Sequence, residues 1–200
     1  MTLYKNKYRV ESTRLKNYDY TSDGAYFITI CTKDREYFFG EIKNSQINTP
    51  QTKIAAECWR DLPKHYPNCV LDEFIIMPNH VHGIIIIDNN LLNVSVPLNT
   101  FVPSNMSAET GFKPVSTDGL NAVNINLKQH SLSEMIRAFK TFTARRINEM
   151  QNTRGQPFWQ ERFYDRIIRN GEELKKSRNY IIKNPERWEL NKNNSKNIFI

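Results

Sequence analysis

The residues best suited to chemistry in this sequence are two histidines, His80 and His82, which lie two positions apart in the segment MPNHVHGIIII. The isoleucines that follow predict a β-strand, and side chains two residues apart in a strand point to the same face of the sheet. The two imidazoles therefore converge, and neutral imidazole is a frequent ligand of divalent metal ions. The spacing is equally compatible with two polar residues that hydrogen-bond to the backbone at the mouth of a strand.

A second pair, Tyr180 and Asn184, lies four residues apart in the segment GEELKKSRNYIIKNPERW. Four-residue spacing places two side chains one above the other on a helix. Leu174, Ser177 and Ile181 predict the inward stripe of that helix, with the tyrosine and the amide on its flank. Such a position suits a group that faces a cleft, and it also suits a structural tyrosine with a buried ring and a solvated hydroxyl.

The net charge favours a polyanionic partner. The chain has 28 Lys and Arg against 21 Asp and Glu, a formal net charge of +7 and an isoelectric point near 9.3. Nucleic acid is the leading candidate, although a basic solvated surface would account for the charge alone. Phe163, Tyr164 and Trp188 lie near these cations and are available for base stacking. The candidate DNA-binding residues are Arg14, Lys16, Lys140, Arg145, Arg146, Arg166, Arg169, Lys176 and Lys183.

The predicted elements place both pairs on one architecture. Strands are expected over 26–32, 69–77, 80–88 and 158–168, with a turn at Pro78-Asn79. Helices are expected over 52–64, over 131–148 behind a Ser131/Glu134 capping box, and from 171 to 184, where Pro185 should end the last helix. This order predicts an α+β, ferredoxin-like (RRM-like) fold. We expect an antiparallel sheet with helices on one face, plus a C-terminal helix that carries the tyrosine.

One domain is expected over residues 1–200, with three appendages. These are a basic N-terminal arm (about 1–22), a mobile insertion (about 89–129) and a short polar tail (about 189–200). Cys31, Cys58 and Cys69 form no metal or redox motif and are expected to be reduced and buried. No segment has the length and apolarity of a membrane span or a signal core, so the sequence predicts a cytoplasmic protein without a membrane partner.

Together the motifs resemble those of the REP-associated tyrosine transposases, within the single-tyrosine HUH endonuclease superfamily. The matching segments are RLKNYDYTSDGAYFITICT, MPNHVHGIIII and PFWQERFYDRIIRNGEELKKSRNYIIKNPERW. They span most of the chain outside the insertion. A lone His-x-His is a weak signal, but its combination with a Tyr-x-x-x-Asn helix that reaches Asn-Pro is specific.

The resemblance implies a metal-dependent transposase that cuts and rejoins single-stranded DNA at hairpins. It implies that His80, His82 and Asn184 hold Mg²⁺ or Mn²⁺, and that Tyr180 is the nucleophile that forms a 5′-phosphotyrosine. Some relatives have an acidic residue three positions before the histidine pair, where this chain has Met77. It also implies recognition of a DNA hairpin and a short adjacent single-stranded guide. The basic arm, with Lys5, Lys7, Arg9, Arg14 and Lys16, is a candidate contact for the guide, and a disordered tail is the equal alternative. Homodimers and monomers both occur among related enzymes.

Three alternatives remain open from the sequence. A domesticated protein would bind hairpin DNA without cleaving it. An RNA-binding module on the same topology would use Tyr26 and Phe27 as a stacking platform. A metal-dependent hydrolase would use an activated water and would not require the tyrosine.

Overall fold

The computed structural model describes residues 14–43, 45–97 and 122–190, with main chain only at 94–97 and 122–126. Its strands are β1 (Gly24–Cys31), β2 (Cys69–Met77), β3 (His80–Ile87), β4 (Asn93–Pro97), β5 (Ala122–Asn126) and β6 (Tyr164–Ile168). Its α-helices are α1 (Pro50–Arg60), α2 (Leu62–His65), α3 (Leu132–Gln151) and α4 (Gly171–Leu190). In this part of the chain, no helix is long and apolar enough to cross a bilayer.

The main sheet has four antiparallel strands in the order β2-β3-β1-β6. This is the strand order of a ferredoxin-like fold, as the sequence predicted. Strand β3 lies in the interior of the sheet, where it pairs Thr29 and Ile75 with His82, and Cys31 and Met77 with His80. Both histidines therefore lie on a strand that is hydrogen-bonded to a neighbour on each side.

Helices α1 and α3 cover one face of the sheet and enclose the larger core. Tyr26, Ile28 and Ile85 from the strands pack with Trp59 of α1 and Phe139 of α3. Helix α3 begins at the predicted capping box, in which Ser131 and Glu134 bond to each other's main-chain N–H groups. The three cysteines are free and buried, as expected.

Helix α4 packs against the opposite face, which the sequence did not assign to any helix. Ile181 forms a second, smaller cluster with Ile84 and Ile168, and Leu174 packs against it. Ser177 is also buried, so the predicted inward stripe of the helix is confirmed.

The predicted end of α4 is wrong, because the helix continues through Pro185 to Leu190. Proline removes one helical N–H donor, a cost that tertiary contacts can offset. Beyond the proline, Trp188 packs against rings from β3 and a loop, and the Glu189 carboxylate accepts a hydrogen bond from Ser45. These contacts hold the last turn in place.

Other boundaries also differ from the predictions. The predicted helix 52–64 is two helices that break at Asp61, two residues before Pro63. Strand β6 covers only the end of the predicted strand 158–168, because the preceding segment leaves the sheet after an isolated bridge between Thr32 and Trp159. The insertion includes a hairpin of β4 and β5 that the sequence did not predict, whereas its part 98–121 lies outside the described residues. Residues 1–13 of the arm and 191–200 of the tail also lie outside them.

Candidate active site

His80 and His82 point to the α4 face of the sheet, and their ring centroids lie 4.5 Å apart. Both are almost completely buried, at 2% and 0% exposure. The convergence expected from their spacing is therefore present, and it occurs in a place from which bulk water is largely excluded.

One nitrogen of each ring is held by a neighbouring side chain. His80 Nδ1 lies 2.7 Å from Asn79 Oδ1, and the Asn79 amide nitrogen donates to the carbonyl of Arg35. The asparagine must therefore accept from His80, so the proton of that ring is on Nδ1. His82 Nδ1 lies 2.9 Å from Thr29 Oγ1. Neither Thr29 nor Asn79 was selected from the sequence as a site residue.

The second nitrogen of each ring, Nε2, is buried and has no hydrogen-bond partner within the described chain. A buried polar atom without a partner is costly, and one ion bound between the two rings would satisfy both nitrogens. Burial lowers the pKa of His80 well below its usual value, with the neighbouring His82 as a smaller cause. Burial lowers the pKa of His82 to about 4, partly offset by a hydrogen bond to the Ile28 backbone. Both imidazoles are thus neutral at physiological pH, the state that binds metal ions.

One side of α4 runs along this pair, with Tyr180, Asn184 and Trp188 at successive four-residue steps. The Tyr180 ring lies 5.3 Å from that of His82, and the Trp188 ring lies 5.7 Å from that of His80. Asn184 comes between them on the helix and is 8% exposed. The structure therefore brings together all four residues that the sequence selected for the reaction centre.

The surroundings of Tyr180 act on its pKa in opposite directions. Burial is the largest effect and raises the pKa of its hydroxyl above the usual value, whereas Asn184 and the charge of Arg187 offset only part of that rise. The Arg187 guanidinium lies 5.8 Å from the centre of the tyrosine ring. The cation next to the nucleophile candidate is thus Arg187. Lys183, a candidate DNA-binding residue on the same helix, is exposed, as is Arg187.

A divalent ion fits the histidine pair as judged by its two unpartnered Nε2 atoms. Within residues 14–43, 45–97 and 122–190, no group of three His, Cys, Asp or Glu side chains could hold a metal ion. Within those ranges a further ligand would be of another residue type, and Asn184 is the buried amide on α4. Met77, in the place where some relatives have an acidic residue, is fully buried and pairs with His80 in the sheet.

Eight of the nine candidate DNA-binding residues separate into two groups, and Lys183 belongs to neither. Those on α3 lie on the far side of the sheet from the histidines and have local partners. Lys140 donates to the carbonyls of Gln160 and Glu161, Arg145 faces Glu149, and Arg146 pairs with Glu57. On α4, Lys176 pairs with Glu172. The structure does not bring these four cations to the candidate site.

The second group lines a groove of about 460 Å³ along the edge strand β6. Arg14, Lys16, Arg166 and Arg169 contribute four positive charges, and Asp165 and Glu173 contribute two acidic groups. Burial raises the pKa of the Asp165 carboxyl, which lies 3.5 Å from Arg14. Arg166 connects this β6 groove to the histidine site, because its guanidinium lies 6.0 Å from the Phe27 ring, which packs against both His82 and Tyr180.

The aromatic candidates also have different surroundings. Phe163 lies beneath the guanidinium of Arg14, 4.6 Å from its ring centre, and Tyr26 is fully buried, so neither ring is open to a base. Trp188 instead lies at the histidine pair and packs against Tyr37, a residue that sequence reasoning missed. The four-residue spacing of 180, 184 and 188 could have revealed the position of Trp188, had Pro185 not been taken as the end of the helix.

Comparisons with known proteins agree with this architecture. The chain is 34% identical over 186 residues to an uncharacterized protein of Haemophilus influenzae, and the match covers 89% of each chain. Among solved structures, a REP-associated tyrosine transposase bound to a REP hairpin has a similar fold. The TM-score is 0.51 at 15% sequence identity, over 87% of this chain and 73% of that one. The likeness confirms the predicted resemblance at the level of the fold. No family model matches the chain.

Proposed function

The chain belongs to one family with the uncharacterized Haemophilus influenzae protein, and from the site on its transposase-like fold we propose that it is a tyrosine transposase. It acts on single-stranded DNA that contains a hairpin, and it requires a divalent metal ion. Tyr180 is the nucleophile, and the product of the first step is a 5′-phosphotyrosine with a free 3′-hydroxyl.

The observation that carries this proposal is the side-by-side arrangement of one tyrosine with two unpartnered imidazole nitrogens. Tyr180 and His82 lie about 100 residues apart in sequence, yet their rings are 5.3 Å apart. A metal site alone requires no tyrosine, and a structural tyrosine requires no vacant imidazole nitrogen beside it. A nucleophile that attacks a metal-bound phosphate requires both.

His80 and His82 would hold Mg²⁺ or Mn²⁺ through their Nε2 atoms. Asn184, the amide one turn after Tyr180 on α4, would be a third ligand through its side-chain oxygen. When bound, the ion acts as a Lewis acid that polarises a non-bridging oxygen of the scissile phosphate. The neutral histidines add no charge, so the ion keeps its full attraction for the anionic phosphate.

In the covalent step, the Tyr180 phenol loses its proton to solvent and its oxygen attacks the phosphorus. The new tyrosine–phosphorus bond replaces the bond to the 3′-oxygen, which leaves and takes up a proton from water. Because a free phenol has a pKa near 10, the tyrosinate needs stabilisation at neutral pH. The Asn184 amide and the Arg187 guanidinium would provide part of it, and a divalent ion held by the histidine pair would provide the rest. Attack by another 3′-hydroxyl on the phosphotyrosine reverses the step and joins the strands.

The β6 groove is proposed to hold the DNA backbone as it leaves the site. Its four cations exceed its two acidic groups, and Arg166 places one of them next to Phe27 in the wall of the site. Phosphate contacts of this kind supply affinity that falls with rising salt concentration. Charge reversal in the groove should weaken binding of all sequences alike, because backbone contacts do not read bases.

The decisive experiment is to detect a protein–DNA adduct that survives denaturation. Purified protein is incubated with labelled single-stranded hairpin DNA from the repeats flanking its own gene, with Mn²⁺ or Mg²⁺. An adduct is expected in the wild type, whereas none is expected in Tyr180→Phe or without metal. The matched control is Tyr66→Phe, which removes the hydroxyl of another half-buried tyrosine that contacts α3 on the opposite face of the sheet.

The other outcomes identify the alternatives. Hairpin binding without an adduct under any metal would indicate a domesticated binder. Cleavage that persists in Tyr180→Phe would indicate a hydrolase that activates water. Metal-independent binding with preference for RNA would indicate an RNA-binding module, although the buried Tyr26 removes one of the two rings that such a module would use.

A further inference from the structure

Trp188 and Tyr37 form an aromatic pair next to His80, at the end of the site away from Tyr180. Their ring centroids lie 5.8 Å apart with an interplanar angle of 58°. Trp188 also lies 5.7 Å from the His80 ring, whereas Tyr37 is 51% exposed. The pair therefore extends from a buried metal ligand candidate to solvent.

The loop that carries Tyr37 is attached to the same turn that positions His80. Thr32 bonds to the carbonyl of Asn79 through both its N–H and its hydroxyl, each at 2.9 Å. Phe39 N–H donates to the carbonyl of Pro78, and the Asn79 side chain donates to the carbonyl of Arg35. Tyr37 is thus held at a set distance from the histidine pair.

The loop also contains backbone strain, which its surrounding contacts must offset. Asp34 and Arg35 are consecutive non-glycine residues with φ of +52° and +59°. Such conformations are unfavourable and persist only where surrounding contacts impose them, often at binding sites. They reverse the chain after β1 and bring the next residues back beneath the end of α4.

The Tyr37 ring is half exposed, although it also packs on Trp188 and so helps to hold the end of α4. Most large aromatic rings of the described chain lie in the two cores, whereas Tyr37 leaves half its surface in water and packs on Trp188 at a tilt. Aromatic rings that flank a phosphate site serve as stacking platforms for nucleobases, and stacking is tolerant of sequence because every base has a π-face.

We infer that Trp188 and Tyr37 form the seat of one unpaired nucleobase adjacent to the scissile phosphate. This inference rests on the proposed function and adds a positioning role to two residues that do not touch the reacting atoms. With the base held at the His80 end, the phosphate next to it lies over the histidine pair. The Tyr180 oxygen then faces that phosphate from the other end.

The test measures whether the contribution of one nucleobase to DNA binding depends on the Trp188 ring. Binding of single-stranded hairpin DNA is measured in the Tyr180→Phe background with Mn²⁺, where cleavage cannot deplete the substrate. Each nucleotide around the cleavage position is replaced in turn by an abasic nucleotide. One abasic position should weaken binding about 5- to 150-fold, because stacking on an aromatic side chain is worth about 1–3 kcal/mol per base.

In Trp188→Ala, the same abasic nucleotide should have no further effect, since the base and its platform are lost together. Trp188→Phe should keep part of the coupling, because phenylalanine retains a ring, and Tyr37→Leu should lose part of it. Binding of Mn²⁺ to both Trp188 variants, measured by calorimetry, should remain within a few-fold of the parent protein. That result separates loss of a base seat from collapse of the histidine pair.

Tryptophan fluorescence supplies an independent signal. The chain has three tryptophans, and Trp59 and Trp159 are 1% and 7% exposed in the core. Quenching by oligonucleotide should therefore come from Trp188 and vanish in Trp188→Phe.

An abasic penalty that is the same with and without the Trp188 side chain would overturn the base seat. If the adduct still forms on Tyr180 in that case, the proposed function stands and only the seat is wrong. If the wild type neither binds single-stranded DNA nor forms an adduct, both are wrong.

Discussion

Gly83 is the position at which a single added methyl group should do most harm to the site. It follows His82 on β3 and faces the opposite side of the sheet, towards Trp59 of α1. A Cβ atom at Gly83 would lie 2.7 Å from Trp59 Cη2, nearer still to Cζ2, and 3.3 Å from Phe74 Cβ. Since carbon atoms in favourable contact are about 3.5–4.0 Å apart, Gly83→Ala forces the ring or the strand to move by about 1 Å.

The ring has little room to move. Trp59 is 1% exposed, stacks on Phe74 at 5.7 Å and meets Phe139 edge-on at 5.3 Å. Overpacking of a tight core costs about 1–3 kcal/mol, whereas replacing glycine by alanine in a strand recovers up to about 1 kcal/mol of backbone entropy. We expect a net loss of about 2 kcal/mol in the free energy of unfolding. For a chain of this size, that loss lowers the melting temperature by about 4–8 °C.

The assay is chemical denaturation of wild type, Gly83→Ala and the control Gly171→Ala, followed by circular dichroism. A Cβ atom at Gly171 meets no heavy atom within 4 Å, and the residue begins α4, so this control should be neutral or slightly stabilising. The double variant Gly83→Ala/Trp59→Phe should recover part of the loss, because the smaller ring makes room. A Gly83→Ala protein as stable as wild type would refute the reasoning. The reasoning would also be refuted if the double variant lost as much stability as Gly83→Ala alone, or lost the sum of the two single-variant effects.

Three further predictions concern the site and its supports. Asn79→Ala should weaken Mn²⁺ binding about 10- to 100-fold in calorimetry by removing the acceptor that orients His80, whereas Asn79→Asp should retain most of the affinity. Because the pKa of His82 falls from 6.5 in the unfolded chain to about 4 in the folded one, its contribution to stability is complete above pH about 6.5 and is lost as the pH falls towards 4. With EDTA present, the free energy of unfolding should therefore fall by about 2 kcal/mol more in the wild type than in His82→Gln when the pH is lowered from 8 to 5. Equal decreases in the two proteins would contradict the lowered pKa of His82. In urea denaturation, Ser131→Ala should lower the free energy of unfolding by about 1 kcal/mol, and Ser131→Thr should lower it by much less. An alanine variant as stable as the wild type would show that the capping box contributes nothing.

The features predicted correctly from the sequence are those governed by short-range geometry. Strand β2 has the predicted bounds, and β1 and β3 agree to within two residues, because β-branched and aromatic runs bounded by turn residues are a local signal for strands. The Ser131 capping box was likewise predicted, since it involves residues only three positions apart.

The wrong predictions share a different cause, which is dominance of tertiary contacts over local propensity. Pro185 signals the end of a helix, yet contacts of Trp188 and Glu189 with a distant loop stabilise another turn. The strand predicted from residue 158 begins at Tyr164, because the preceding Phe158 and Trp159 side chains are drawn into the aromatic core with Phe39. No local pattern reports such distant partners.

The candidate site also combines features set by local geometry with features set by tertiary contacts. By itself, the sequence determined that His80 and His82 share a strand face and that Tyr180 and Asn184 share a helix face, because side-chain periodicity is a property of the backbone alone. Only the tertiary structure decided that these faces meet, that α4 covers the histidine side of the sheet, and that the cations of α3 lie on the other side. Those outcomes depend on which apolar stripe packs on which face, and here Ile181 of α4 packs against Ile84 of β3. The packing that is adopted buries the most apolar surface of the whole chain, and no single segment contains that information.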